Sequence, residues 1–234
     1  MEQQIDRVFE LIRAKVEERK NGAILIVGIG GVPGAGKSLF ARRVIEKLNE
    51  NDVCAVQVPM DGFHFYRAEL DKFDDPAEAH RRRGTDFTFD FDKYFTLLKN
   101  IRENRNDSES IWAPTFEHKV KDPSENAIKI SMKTTKVVVS EGNYVCFDKK
   151  PWNQLLSFLD LKVFVKCELE EAEKRVVARH QKEMGMTKEQ AVDRWNANDK
   201  LNAIEIIEKC PETDVVFVDN GVAAHAEKLI ATQN

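Results

Sequence analysis

The chain alternates between short runs of apolar residues and segments in which apolar residues recur at helical spacing. The apolar runs predict strands buried on both faces, and they cover residues 23–29, 53–58, 136–140, 161–165 and 213–218. The helical spacing predicts helices at residues 5–16, 38–50, 91–103, 170–183 and 188–208. Strands that alternate with helices predict right-handed crossovers and an α/β fold with a doubly wound parallel sheet.

Two segments interrupt this alternation. Residues 62–90 combine aromatic side chains, a basic triplet and an acidic cluster, and residues 112–126 also lack a regular pattern. We therefore expect two long irregular insertions, which inside a compact α/β domain are more often functional than accidental. No internal repeat, low-complexity tract or linker is visible, so the sequence predicts a single domain over residues 1–234.

A phosphate-binding motif follows the first predicted strand. It matches the pattern G-x-x-x-x-G-K-[ST] in full, with the required strand before it and helix after it. Its glycines allow the backbone to wrap a phosphate and to point N–H groups inward, while Lys37 supplies charge and Ser38 a magnesium ligand. The predicted nucleotide-binding residues are Gly31, Val32, Pro33, Gly34, Ala35, Gly36, Lys37 and Ser38.

Two carboxylates come directly after predicted strands. Asp61 follows the strand at residues 53–58, and Glu141 follows the strand at residues 136–140. Because ligands bind at the carboxyl ends of strands in doubly wound sheets, both carboxylates are expected beside the transferred phosphate. Asp61 suits a base for an attacking hydroxyl, and Ser38, Glu141 and Asp61 form the predicted metal set. The alternative to a catalytic role is that Asp61 only marks a turn and that Glu141 only ends a strand.

Composition narrows the function classes further. A net charge of −4 argues against non-specific nucleic-acid binding, which needs a basic surface. No apolar run approaches the ~20 residues of a membrane span. Four scattered cysteines fit a reducing compartment, so we expect a cytoplasmic protein. The sequence lacks the D-x-x-G and N-K-x-D elements of regulatory GTPases, and it leaves homo-oligomer formation open.

In these motifs and their order, the chain resembles the uridine kinase, phosphoribulokinase and bacterial-type pantothenate kinase group of P-loop kinases. The resemblance runs in order from about residue 22 to residue 218. The matching pieces are the P-loop, Asp61-Gly62-Phe63-His64, Phe116-Glu117-His118, Glu141-Gly142-Asn143-Tyr144, residues 175–180 and Asn198-Asp199.

The resemblance implies a five-stranded parallel sheet and transfer of the γ-phosphate of ATP, with Mg²⁺, to a substrate hydroxyl. Carried over by position, it implies that Asp61 is the base, that Glu141 helps hold the metal, and that Arg175 and Arg179 belong to a lid at about residues 170–199. It also implies that His118 contacts a base. Uridine kinases usually show D-S-F-Y where this chain has Asp61-Gly62-Phe63-His64, and a Y-D-F stretch near His118.

The lid hypothesis also has support in the residues themselves. Arg175 and Arg179 are four positions apart on one helix and share a face. Residues 187–190 form a capping box that opens a second helix, in which Arg194 is a further candidate. The alternative is a solvated, salt-bridged face, since Glu171 precedes Arg175 by four positions.

The acceptor pocket is predicted from an aromatic segment at residues 63–66. His64, Arg83 and His118 are the predicted substrate-binding residues, and the arginines at 81–83 could recognise an anionic group. The predicted acceptor is a small hydroxyl-bearing metabolite, with a nucleoside such as uridine or cytidine first. The alternative acceptors are a sugar, a sugar acid and a vitamin precursor. A further alternative is that the protein is an NTPase without an acceptor. The tryptophans at 112, 152 and 195 are expected to be packing residues.

Overall fold

The computed structural model describes residues 2–19, 22–103, 109–117 and 119–218. Seven strands occur in this part of the chain, and five of them form one parallel sheet. The strands are β1 (Leu25–Gly31), β2 (Ala55–Pro59), β3 (Ser110–Glu117), β4 (Asp122–Ser131), β5 (Val137–Glu141), β6 (Leu161–Lys166) and β7 (Val215–Val218). The sheet order β2-β5-β1-β6-β7 confirms the predicted doubly wound, five-stranded sheet.

Helices cover both faces of this sheet. They are α1 (Glu2–Glu18), α2 (Lys37–Glu50), α3 (Arg67–Leu70), α4 (Pro76–Arg81), α5 (Phe91–Glu103), α6 (Leu169–Met184), α7 (Lys188–Arg194) and α8 (Lys200–Glu208). The amphipathic α1 buries its apolar stripe, including Ile5, Val8, Phe9 and Ile12, and α1 contacts α2. The apolar residues of the central strands are fully buried between the helix layers, as expected for strands covered on both faces.

The register of the sheet brings several strand ends to one edge. Glu141, the last residue of β5, pairs with Ile29 of β1 on one side and with Pro59 of β2 on the other. The P-loop leaves the end of β1, and a short 3₁₀ turn, Met60–Phe63, leaves the end of β2. The segments that carry the predicted site residues are therefore neighbours at the carboxyl edge of the sheet.

The prediction of an irregular insertion at residues 112–126 is wrong. This stretch lies in the antiparallel hairpin of β3 and β4, whose register shifts between Ala113 and Thr115. The strand alternation is hidden in the sequence because Pro114 and Pro123 interrupt it, and both residues are tolerated in a two-stranded ribbon. Residues 62–90 contain two short helices, α3 and α4, rather than continuous irregular chain.

The helix predicted at residues 188–208 is also less regular than expected. It consists of α7, a π-helical turn at Trp195–Asp199, and α8. Trp152 and Trp195 are buried, as predicted. Trp112 contradicts the packing expectation, because 49% of its surface is exposed and the ammonium of Lys129 lies over its ring.

Gly62 fixes how the hairpin meets the sheet edge. A Cβ atom at this position would lie 2.5 Å from the carbonyl oxygen of Pro114 in β3. Only glycine allows the turn after β2 to approach the hairpin so closely. Among the described residues, none of the helices is both long enough and apolar enough to cross a bilayer.

Candidate functional site

The P-loop joins β1 to α2 and has the backbone geometry of a phosphate cradle. Gly34 and Gly36 adopt left-handed conformations, with φ of 79° and 86°, and Gly36 caps the N-terminus of α2. The amide of Ala35 donates to the carbonyl of Val32 and tightens the turn. A Cβ at Gly31 would lie 2.5 Å from the carbonyl oxygen of Val165. The loop therefore presents backbone N–H groups and a helix N-terminus at one point.

Lys37 is the buried cation of this loop. Its ammonium donates to the carbonyl of Val32 at 2.9 Å and to the side-chain oxygen of Asn143 at 2.8 Å. Burial lowers the pKa of Lys37 to about 8, while the charges of Glu141 and Asp61 act to raise it. The ammonium is thus held in place by two neutral oxygen atoms, and an incoming phosphate would compensate its desolvation.

Glu141 is a buried carboxylate next to the P-loop. Its two oxygen atoms each lie 3.2 Å from the hydroxyl of Ser38, and one accepts from the amide of Gln57 at 3.3 Å. Burial, together with the nearby charge of Asp61, raises the pKa of Glu141 to about 7 against the opposing effect of Lys37. A buried carboxylate with a raised pKa beside a hydroxyl ligand is well suited to a cation.

Asp61 lies in the 3₁₀ turn after β2 and is exposed to the central cavity. Its carbonyl oxygen lies 2.8 Å from Nδ1 of His64, which holds the turn together. The His64 ring packs against Phe89 and Phe116, with ring centroids 4.0 and 4.9 Å apart. Burial lowers the pKa of His64, although the charge of Asp61 opposes this shift. The imidazole is therefore neutral at physiological pH.

A cavity of about 260 Å³ collects most of the predicted site residues. It is lined by the P-loop, by the turn after β2 with its aromatic neighbours, and by α6 and the π-helical turn. The predicted residues that line it are Pro33, Gly34, Lys37, Ser38, Asp61, His64, Arg83, Glu141 and Arg179. His118, the remaining predicted substrate contact, lies outside the described residues.

The basic triplet at residues 81–83 is held by protein partners. Arg81 pairs with Glu78, and Arg82 donates to Asn202. Arg83 lines the cavity, but its guanidinium donates to Asp122 at 2.8 Å and to two backbone carbonyls. The triplet therefore connects neighbouring segments of the fold, and acidic partners compensate the charges of Arg81 and Arg83.

The two lid arginines have different surroundings. Arg175 donates to Glu171 at 2.9 Å, as the salt-bridge alternative predicted, and also to the carbonyl of Gly34 at 3.3 Å. Arg179 is exposed and lines the cavity one helical turn further on. The predicted capping box at Thr187 and Gln190 is present. Helix α6 thus rests on the P-loop through Arg175, while Arg179 faces the space above it.

Sequence reasoning missed several residues of the site. Gln57 contacts Glu141 and lies in the predicted strand at residues 53–58, whereas Asn143 contacts Lys37 and belongs to the matched piece at residues 141–144 without an assigned role. His180 and Asp199 line the cavity from the lid, and they belong to the matched pieces at residues 175–180 and 198–199 without an assigned role. Their positions along the chain gave no signal of the chemistry, because the π-helical turn determines where Asp199 points.

The arrangement fits a magnesium–nucleotide complex. The buried ammonium of Lys37, the left-handed glycines and the N-terminus of α2 suit phosphate oxygens. Ser38 and Glu141 are already in contact and offer two oxygen ligands of the type Mg²⁺ prefers. A parallel sheet with this loop at the end of β1 and a helical lid above it defines the class of P-loop kinases.

The model of the phosphoribulokinase / uridine kinase family matches residues 26–224. The chain therefore belongs to this family, and it is a kinase, that is, a phosphotransferase. The family match confirms the resemblance seen in the motifs. It leaves the acceptor unspecified, because the family description joins kinases that are named after different acceptors.

Individual relatives agree with this assignment. A Schizosaccharomyces pombe protein, provisionally described as a uridine kinase, is 32% identical over 212 residues, which cover 89% of this chain and 88% of the relative. A structure from Silicibacter sp. TM1040, provisionally described as a fructose transport system kinase, has a TM-score of 0.79 at 26% identity and covers 89% of this chain and 98% of its own. YFH7 of Saccharomyces cerevisiae, at 21% identity, shares the fold with a TM-score of 0.75 over 93% of this chain and 98% of its own.

Proposed function

We propose that the protein transfers the γ-phosphate of ATP, in the presence of Mg²⁺, to a hydroxyl of a small metabolite, and that a nucleoside such as uridine or cytidine is the acceptor to test first. The observation that carries the proposal is the shared cavity in which Lys37, Ser38, Asp61 and Glu141 meet. These residues supply a phosphate contact, a metal contact and a base within one enclosed space.

Each residue has a distinct role in this proposal. The Lys37 ammonium binds the β- and γ-phosphates and stabilises the negative charge that develops on them during transfer. Asp61 orients the acceptor hydroxyl and accepts its proton, because its carboxylate is exposed to the cavity beside the P-loop. Arg179 faces the same space and stabilises charge on the transferred group.

Ser38 and Glu141 are the residues that would hold Mg²⁺. When bound, the metal neutralises charge on the phosphate oxygens and helps to orient them for in-line attack. The Glu141 carboxylate, whose pKa is raised by burial, takes its charged form more readily next to a cation. Helix α6 rests on Gly34 and limits the access of water to this region.

The acceptor preference rests on the aromatic wall of the cavity. The rings of His64, Phe89 and Phe116, which are tilted by 39° and 48° against one another, form an aromatic surface that suits a base or a sugar face. Because the arginines at 81–83 are held by protein partners, a neutral acceptor is favoured over a carboxylated or phosphorylated one. The provisional uridine kinase description of the fission-yeast relative agrees with a nucleoside acceptor.

A sugar is the second candidate acceptor. It is favoured by the Silicibacter relative, provisionally described as a fructose transport system kinase, which is 26% identical to this chain. The proposal includes a cytoplasmic location, because four cysteines without a disulfide fit a reducing compartment. The partner in this proposal is the small acceptor, and nucleic acid has no part in it.

The proposal is tested by phosphate transfer from radiolabelled ATP to a panel of nucleosides, sugars, sugar acids and vitamin precursors. Label should appear in a nucleoside product and depend on Mg²⁺. Label in a sugar product alone would favour the second candidate. If ATP is hydrolysed equally with and without every acceptor, the proposed transfer to nucleosides or sugars fails.

A further inference from the structure

The lid wall of the cavity contains buried polar groups that no role assigned above uses. His180 and Asp199 are both buried, with 6% and 9% of their surfaces exposed, and both line the cavity together with Arg194. Three of their atoms lack a hydrogen-bond partner in the described part of the chain, namely His180 Nδ1, Arg194 Nε and Asp199 Oδ2. Since buried polar groups are normally satisfied, this cluster is prepared for a polar ligand.

The three residues do not satisfy one another. His180 Nε2 and Asp199 Oδ2 are 3.8 Å apart, which is too long for a hydrogen bond. Burial, together with the charges of Arg194 and Arg179, lowers the pKa of His180 to about 4. The imidazole is therefore neutral and does not form an ion pair with Asp199. A purely structural contact between the two helices would close this gap.

A local irregularity of the helix directs Asp199 toward the cavity. The turn Trp195–Asp199 is π-helical, with the amide of Lys200 donating to the carbonyl of Trp195 five residues earlier. Such a turn inserts one residue into the helix, rotates the residues that follow, and is frequent at functional sites. Asn198, in the same turn, donates to the carbonyl of Arg83 at 3.1 Å and contacts Thr85 at 3.2 Å.

These contacts locate the cluster on the acceptor side of the cavity. The segment of Arg83 and Gly84 lines the same cavity, and Arg83 in turn donates to the carbonyl of Phe65, next to His64. The P-loop contacts α6 through Arg175, near the middle of the helix, whereas His180 lies more than one turn further toward its C-terminus. The cluster therefore faces the region of Asp61 and His64, where the acceptor must lie.

We infer that His180, Arg194 and Asp199 form a subsite for the secondary hydroxyl groups of the acceptor, which is consequently a polyhydroxylated compound: a sugar, or the ribose of a nucleoside. This inference rests on the proposed kinase function and specifies its substrate class. A hydroxyl group both donates and accepts, so it can donate to the Asp199 carboxylate while it accepts from Arg194 or His180. An anionic group would meet Asp199, and an apolar group would leave all three residues unsatisfied.

Binding of defined probes tests the subsite without requiring turnover. D-Ribose, D-fructose and uridine are titrated calorimetrically into the full-length protein with Mg²⁺ and the non-hydrolysable nucleotide AMP-PNP. At least one should bind, and 2-deoxy-D-ribose or 2′-deoxyuridine should bind less tightly than its parent. Asp199→Asn should raise the dissociation constant of the parent at least ~10-fold, because a site built for a hydroxyl discriminates strongly. Ribose and uridine distinguish a free sugar from a nucleoside.

Asp193→Asn is the matched control, because Asp193 is exposed on α7 and does not line the cavity. It should bind every probe like the wild type, and all variants should retain their affinity for AMP-PNP. If Asp199→Asn does not remain folded, as judged by circular dichroism, His180→Gln provides the same comparison. The inference is overturned if none of the three polyols binds, or if the subsite variant binds them as tightly as the wild type.

The same variants separate this inference from the proposed function. Polyol binding that depends on Asp199 without phosphate transfer would refute the kinase proposal and retain the subsite. Phosphate transfer with an acceptor KM that is unchanged in Asp199→Asn would retain the kinase proposal and refute the subsite. Transfer with a raised acceptor KM and an unchanged KM for ATP supports both.

Discussion

The hydroxyl of Ser38 lies 3.2 Å from both carboxylate oxygens of Glu141, so the residue that follows the P-loop lysine contacts the last residue of β5. This contact depends on the parallel pairing of β1 with β5, which brings Ile29 beside Glu141. It creates a pair of oxygen ligands from segments about a hundred residues apart, at the point where a P-loop kinase needs its metal.

The first prediction concerns stability in the absence of divalent cations. The pKa of Glu141 is raised from 4.5 to about 7, chiefly by burial, so folding favours its protonated form. The contribution of protonated Glu141 to folding stability is complete below pH 4.5 and is lost as the pH rises through about 7. In EDTA, the free energy of unfolding of the wild type should fall by on the order of 3 kcal/mol relative to that of Glu141→Gln across this pH range. Thermal melts at several pH values measure this, with the exposed Glu50→Gln as control. Parallel curves for wild type and Glu141→Gln would contradict it.

The second prediction separates the two carboxylates. Asp61→Asn should lower kcat by ~10²- to 10⁴-fold with little change in the KM for ATP, because Asp61 acts on the acceptor in the transition state. Glu141→Gln should instead increase the Mg²⁺ concentration that gives half-maximal activity. Titrations of activity against Mg²⁺ compare the two variants with Asp74→Asn, an exposed position. Superimposable Mg²⁺ curves for Asp61→Asn and Glu141→Gln would rule out this division of roles.

The sequence predicted the parallel sheet and the P-loop because both depend on local signals. Buried parallel strands appear as continuous apolar runs, and the phosphate loop needs glycines at fixed positions. The sequence also predicted that Asp61 and Glu141 lie at one edge of the sheet, because the carboxyl ends of neighbouring parallel strands share one edge. Which strands are neighbours is a property of tertiary packing, and the pairing of β5 with both β1 and β2 was not encoded locally.

Other parts of the site depend on irregularities that a sequence pattern does not show. Pro114 and the register shift beside it hid the hairpin of β3 and β4, which forms part of the cavity wall through Phe116. The cluster of His180 and Asp199 is assembled by the π-helical turn, since regular helical spacing would direct Asp199 elsewhere. The sequence left open whether the basic triplet recognises an anionic group, and the ion pair of Arg83 with Asp122 depends on tertiary packing that no local pattern shows.

The third prediction concerns Gly62, which occupies the position of Ser in the D-S-F-Y form of the motif. Gly62→Ser would bring its Cβ to 2.5 Å from the backbone oxygen of Pro114, so the hairpin must move. We expect a loss of ~1–3 kcal/mol in the free energy of unfolding, the usual cost of overpacking. Denaturant unfolding measures the loss, and Ala68→Ser, at an exposed position nearby, is the control. Equal stability of both variants would show that the hairpin adjusts freely.

The fourth prediction tests the P-loop. Lys37→Ala should reduce the rate of phosphate transfer by at least ~100-fold, because it removes the positive charge that stabilises the transferred phosphate. The fold should persist, since the ammonium contacts only Val32 and Asn143 in the described structure. Lys47→Ala, at the other end of α2, removes a partly exposed ion pair with Asp6 and should retain full activity. A Lys37→Ala enzyme with wild-type kcat would remove the P-loop from the mechanism.

The fifth prediction concerns the lid, in which Arg175 and Arg179 are one helical turn apart but have different partners. Arg175 is held by Glu171 and the carbonyl of Gly34, whereas Arg179 is exposed and lines the cavity. Arg179→Ala should therefore lower kcat by ~10- to 100-fold, because the guanidinium is available to stabilise charge on the transferred phosphate. Arg175→Ala should act mainly on the KM for ATP, since Arg175 supports the backbone of the P-loop.

Steady-state kinetics with saturating acceptor separate the effects on kcat from those on the KM for ATP. Lys174→Ala is the matched control, because Lys174 is exposed on the same helix and does not line the cavity. If Arg179→Ala behaves like Lys174→Ala while Arg175→Ala is impaired, then α6 only supports the P-loop. The charge in the transition state would then be balanced by Lys37 and the metal alone.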